Sequence, residues 1–155
     1  LTQTKDTMKQ KAGEIVKNVR KEGIKALNGV TEFIQSQIAS RLGIVNNPES
    51  RNIIALQALV TAILQPVRDE INAAIVITSG YRNDALNKAV GGSDESQHLK
   101  GEAADVTSPQ GILNIVDAVR ELGLDFDQML IYPQRGFIHL SYKRCGNNRG
   151  FIKWM

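Results

Sequence analysis

Cysteine is nearly absent: Cys145 is the only one in 155 residues. A lone thiol excludes an internal disulfide and a cysteine-built zinc site, so any metal must be held mainly by nitrogen and oxygen. Aromatic residues make up only 5% of the chain, and no motif for reading nucleic acid is present. No apolar run approaches the roughly 20 residues that span a bilayer, so membrane insertion is not expected. The opening LTQTKDTMKQKAGEIVKN has no apolar core of the signal-peptide kind. Histidine is almost as scarce as cysteine, with two residues, His98 and His139.

What is present suits a globular domain. Hydrophobic residues are 42% and charged residues 23% of the chain, and the length is enough to bury a real core. The charge is uneven. The net charge is +3; residues 1–30 carry seven Lys/Arg against three Asp/Glu, or +4. Residues 143–155 carry Lys143, Arg144, Arg149 and Lys153 with no acid, another +4, which leaves 31–142 at −5. A nucleic-acid groove wants its basic stripe on the folded face, so no nucleic-acid partner is expected. The basic ends suit long-range attraction to an anionic surface, or are solvated tails.

Residues 5–27 read as a basic helix with Met8, Ala12, Ile15, Val16 and Val19 on one stripe. A second helix is expected from about Thr31 to Arg41, stopped by Gly43. Asn47-Pro48 and Ser108-Pro109 read as cap-and-proline helix starts. Pro66 should kink or end the first of the two helices they open. AAIVITSGYR, 73–82, reads as a buried strand, and AADV as a short one. Asn83 to Val90 gives one or two helical turns. FDQMLIY and FIHLSY flank PQRG as a hairpin. Helices first, then a small sheet with one helix inserted, is an α+β order.

SQHLKGEAAD, 96–105, sets His98 seven residues before Asp105. Such a pair is either two metal ligands on one segment or part of a solvated loop. His139 lies in the hairpin. With PQRG as the loop, Tyr132 pairs with Phe137 and Leu130 falls opposite His139. Alternation then puts Gln128, Leu130, Tyr132, Phe137, His139 and Ser141 on one face, and Asp127 on the other unless a bulge intervenes. Two histidines and a carboxylate make a catalytic zinc set with a fourth position left for water. By spacing alone the signal is weak, since a lone histidine on a strand is more often a hydrogen-bonded structural residue.

Larger blocks carry a resemblance. SGYR at 79–82, NKAVGGSDESQHLKGEAADV at 87–106 and FDQMLIYPQRGFIHLSY at 126–142 follow in order, with ASRLGIVNNP and LQPVRDEI upstream. Together they resemble the zinc D-Ala-D-Ala carboxypeptidase family, which includes related phage cell-wall endopeptidases. The resemblance covers roughly residues 31–142. It implies an α+β fold of the D-Ala-D-Ala carboxypeptidase or hedgehog-like kind, with N-terminal helices packed on a small, mainly antiparallel sheet. Residues 1–30 are then a basic helix or linker and 31–155 the zinc domain.

The resemblance further implies zinc as cofactor, with His98, Asp105 and His139 as its ligands. It assigns Arg82 to catalysis and substrate binding, where a guanidinium can anchor a carboxylate or stabilise charge developing on a carbonyl oxygen. Ser96 is expected to position substrate or brace the zinc loop. One departure matters. Many relatives carry an acid three residues before the last zinc histidine, and that position is Gly136 here. Another acidic position of relatives is Tyr132. Gln128 and Asp127 remain as candidate catalytic residues, the first to hold water or a carbonyl, the second as a base if a bulge turns the strand.

The implied activity is hydrolysis of amide bonds in peptidoglycan stem peptides or cross-bridges, by a monomer acting at the bacterial cell wall as a phage lysin or virion-associated protein. Whether the enzyme would trim ends or open cross-links stays open. The alternative is a catalytically weak or inactive zinc-containing module that binds the wall.

Overall fold

The computed structural model describes residues 31–155; the helix read over 5–27 lies outside the described residues. Helices α1 (Gln37–Leu42) and α2 (Ser50–Leu59) come first. A π-helical turn, Val60–Leu64, joins α2 to α3 (Gln65–Ile71). Strand β1 (Val76–Ser79) follows, then α4 (Asp84–Ala89), a 3-10 turn (Gln97–Lys100) and β2 (Ala103–Thr107). The chain closes with α5 (Ile112–Glu121), β3 (Gln128–Tyr132), β4 (Phe137–Ser141) and β5 (Phe151–Trp154).

The α+β expectation holds, and its helix boundaries shift for physical reasons. The helix expected from Thr31 to Arg41 breaks at Gln35–Ser36, where the Ser36 hydroxyl accepts from the Ala39 N–H and restarts it as α1. Gly43 ends α1 in the left-handed region, at φ 68°. Helix α2 begins two residues after Pro48: Glu49 caps it, with a reciprocal box through Asn52. Ser108-Pro109 forms a turn closed by Gly111 N–H to Ser108 O, and α5 starts only at Ile112.

Pro66 neither ends nor sharply interrupts its helix. The π-helical turn widens the helix just before it, and the Gln65 N–H donates to Val60 O. The wider turn takes up the register change that a residue with no N–H imposes.

The five strands lie in the order β1-β2-β4-β3-β5. Three of the four pairings are antiparallel, and β3–β5 is parallel. The hairpin register is the expected one, Tyr132 opposite Phe137 and Leu130 opposite His139. Val106, Met129, Ile131, Ile138 and Leu140 on one face are fully buried and join Leu59, Ile63, Val67, Ile115 and Val119 in the core. Each such side chain contributes about 1.5–3 kcal/mol by leaving water. The core thus fixes the sheet, and the alternate residues are left to build a site on its other face.

Two expectations are corrected. The 73–82 run yields an edge strand, β1, with Val76 45% exposed, because only β2 pairs with it. The basic C-terminal stretch, read as a solvated tail, contributes a fifth strand.

Candidate metal centre

Residues Asp105 and His139 are direct cross-strand partners on β2 and β4. A cross-strand pair sets Cβ atoms about 5 Å apart on one face. The Asp105 Oδ1 and His139 Nδ1 accordingly stand 3.0 Å apart.

His98 comes from the 3-10 turn, which Ser96 opens by accepting the His98 N–H at 3.3 Å. Gly101 closes it at φ 76°. A Cβ there would lie 2.5 Å from Asn52 O, so the backbone of α2 and the ligand loop meet where only glycine fits.

Burial leaves the His98 ring 2% exposed, with its Nδ1 2.7 Å from Gly80 O. A carbonyl can only accept, so Nδ1 carries the proton and Nε2 of the neutral ring offers a lone pair. That Nε2 faces Asp105 Oδ1 at 3.3 Å. A lone pair and a carboxylate oxygen repel at this distance unless a cation or proton lies between them. The His98 and His139 rings meet edge-on with centroids 5.0 Å apart.

The three donor atoms all lie within 4.8 Å of one another. Tetrahedral zinc with bonds near 2.1 Å separates its donors by about 3.4 Å, close to the two spacings about Asp105. The residues therefore fit a zinc ion. The Gly80 carbonyl supplies the outer hydrogen bond that fixes a metal-binding histidine in one tautomer. Asp105 and His139 retain 19% and 13% side-chain exposure, so the cluster opens to solvent on one side.

Electrostatics agree with geometry. Burial acts to raise the Asp105 carboxyl; with a proton rather than a metal cation between Oδ1 and the facing nitrogens, the His139 and His98 rings outweigh burial and hold the group below the ordinary carboxylate range.

Arg82 borders the cluster. Its backbone N–H donates to His98 O at 3.1 Å, and its Nη2 reaches Ser96 Oγ at 3.5 Å. Burial pushes its guanidinium down, and the Asp105 charge opposes that shift. The Arg82 Nε is buried without a partner among the described residues. Ser96 thus touches both the ligand turn and Arg82.

Gln128 shares the face of His139, one strand over and one pair along. Asp127 does not join it. Its side chain is fully buried, and its Oδ1 accepts from Arg149 N–H and Nε at 3.1 and 3.0 Å. The Oδ2 accepts from Arg149 Nη2 at 2.9 Å, and Lys143 Nζ stands 3.7 Å from Oδ1. The expectation of Asp127 as a base is corrected: its side chain is fully buried, and Arg149 occupies both its oxygens.

Sequence reasoning missed Asn46. Buried, it donates through Nδ2 to Ile34 O and Tyr81 O and accepts the Asn83 N–H, at 3.1, 2.8 and 2.8 Å. It thereby pins the loop that carries Gly80 and Arg82. The first asparagine of an Asn-Asn-Pro run gives no sign of bonds to residues 35 and 37 positions away.

An α+β domain with a His/Asp/His cluster of this kind is the framework of a metallopeptidase. A family model described as Peptidase M15 matches residues 28–141, and the chain belongs to that zinc D-Ala-D-Ala carboxypeptidase-like family. No curated protein matches the chain.

Proposed function

We propose that the protein hydrolyses amide bonds of peptidoglycan stem peptides or cross-bridges with zinc held by His98, Asp105 and His139. The observation that carries this reading is the lone pair of His98 Nε2, aimed by Gly80 O at a carboxylate oxygen that His139 Nδ1 also faces. Zinc in that position supplies Lewis acidity, which acidifies water and polarises a carbonyl.

The chain's own groups do the rest. Asp105 and His139 hold one rung of the sheet, so their separation is set before any ligand arrives. Arg82 brings a half-buried guanidinium to the edge of the cluster for substrate, and Ser96 fixes its direction. Gln128 presents an amide to the same face and can hold water or a carbonyl oxygen, but it takes no proton at neutral pH.

The family gives the metallopeptidase class; the peptidoglycan substrate rests on the resemblance of SGYR and the two ligand blocks to cell-wall enzymes. The basic residues at both ends support action at an anionic wall, as expected of a phage lysin or virion-associated protein acting as a monomer. Mass spectrometry of muropeptides digested by the purified protein, with metal analysis of the same sample, tests this reading. Zinc near one per chain and chelator-sensitive cleavage are expected. Full-rate cleavage by zinc-free protein overturns it.

A second reading is favoured by Gly136, which stands where many relatives carry an acid: a zinc-containing module that binds wall peptides with little turnover. Binding without chelator-sensitive turnover would select it.

A further inference from the structure

Strand β5 lies in the stretch 142–155, beyond the matched residues 28–141. It is nonetheless a firmly built part of the sheet. Gly150 N–H donates to Phe126 O and Phe151 N–H to Asp127 O, at 2.8 and 3.0 Å. Met155 N–H donates to Ile131 O at 2.8 Å. Arg149 clasps the buried Asp127 through its side chain and its backbone, and Asn148 exchanges two hydrogen bonds with the Lys143 backbone.

The register carries this strand to the site. Asp105 pairs with His139, His139 with Leu130, and Leu130 with Lys153. Paired residues share a face. One cross-strand row therefore begins at a metal ligand, passes through a second and ends at the Lys153 ammonium. Phe151, paired with Gln128, lies on the same face one step along. Phe151 is 46% exposed, and Lys153 is exposed with no ion pair among the described residues. The other cations of this strand and the loop before it are partly spent, since Arg149 and Lys143 face Asp127.

We propose that β5 extends the substrate surface of the metal centre, with Lys153 and Phe151 forming a remote subsite for an acidic residue of the peptide substrate. This rests on the peptidase reading above. Two strand spacings separate His139 from Lys153, about 10 Å. An extended peptide advances about 3.4 Å per residue. A peptide laid across the strands with its cleaved bond at the metal thus brings a carboxylate about three residues away over the Lys153 ammonium. Phe151 gives an apolar surface beside that carboxylate for the stem of its side chain. Lys153 acts here on binding and specificity and touches no reacting atom.

The test uses the full chain loaded with zinc, and peptides identical except that one carboxylate at a time is amidated. The cleavage point is mapped by mass spectrometry with wild-type protein. Lys153→Gln should raise KM about threefold, and Lys153→Glu about tenfold, for the peptide whose free carboxylate lies about three residues from the cleaved bond. kcat should stay within twofold. With that carboxylate amidated, wild type and both variants should agree within twofold. Equal loss on free and amidated peptides, or no change on either, overturns the subsite. Equal loss on both would show Lys153 serving general attraction to an anionic polymer instead.

Calorimetric titration of the same peptides separates the two proposals. Binding that Lys153→Glu weakens, with no cleavage by wild type, keeps the subsite and overturns the peptidase reading. Wild type that neither binds nor cleaves any of them overturns both.

Discussion

Replacing Asp127 by Asn should destabilise the protein without disabling its metal centre. Asp127 accepts three hydrogen bonds from Arg149, at 3.1, 3.0 and 2.9 Å. An amide keeps one acceptor and turns a donor toward the guanidinium, so at least one charge-assisted bond is lost. The Arg149 side-chain bond, working against burial, holds the Asp127 carboxyl down to about 2 from 3.8. A carboxyl moved that far carries about 2 kcal/mol of linked stability. Arg149 is 54% exposed and rehydrates when its partner goes, which reduces the expected loss to about 1–2 kcal/mol.

In a domain of this size that loss lowers Tm by about 3–10 °C at pH 7. The sign of the pH dependence is fixed. A carboxyl lowered in the folded state stabilises above its unfolded value, and the contribution fades as pH falls from about 4 toward 2. Thermal melts followed by circular dichroism should show wild type and Asp127→Asn converging over that interval. Zinc content and kcat below the melting range should change less than twofold. A Tm difference that is the same at pH 7 and pH 2, or a folded variant without activity, refutes the assignment of Asp127 to structure.

Three further outcomes are expected. His98→Ala or His139→Ala should take zinc from about one per chain to near zero after dialysis, measured by plasma mass spectrometry, with hydrolysis lost in parallel. Arg82→Lys should keep zinc and Tm while kcat/KM falls about 100-fold, since an ammonium does not reproduce the N–H directions of a guanidinium; an unchanged kcat/KM removes Arg82 from the site. Gly101→Ala should cost about 2–4 kcal/mol in denaturant unfolding, from the left-handed backbone and from the Asn52 carbonyl 2.5 Å from the added methyl; a loss under 1 kcal/mol would show that α2 and the ligand turn can part.

Alternation made the hairpin readable. Ile138-His139-Leu140-Ser141 alternates apolar with polar, and the four turn residues that separate FIHLSY from the apolar run of FDQMLIY allow few registers. Leu130 opposite His139 followed, and with it the face that Gln128 shares. The strand 73–82 misled because a run of Ile and Val looks the same at an edge as at the centre. Position within the sheet decides burial, and position depends on partners remote in sequence. The proline starts misled for a related reason: Glu49 with Asn52, and Gly111, cap helices whose ends are set by where the chain must turn.

The candidate metal cluster was legible because donor types are chemically restricted and few histidines compete for the role. What supports them was not. Gly80 acts through its carbonyl and Asn46 through an amide, and neither group distinguishes one residue from many others in a sequence. Strand β5 escaped for the same reason. FIKW is too short to declare a strand by periodicity, and its pairing depends on Arg149 reaching Asp127 across 22 residues. That contact links two apparent anomalies, an acid next to the site that cannot serve it and a basic C-terminal stretch. Asp127 is withdrawn from proton transfer by the same bond that ties β5 to the sheet edge, so one contact both occupies this charge and holds the strand that carries Lys153.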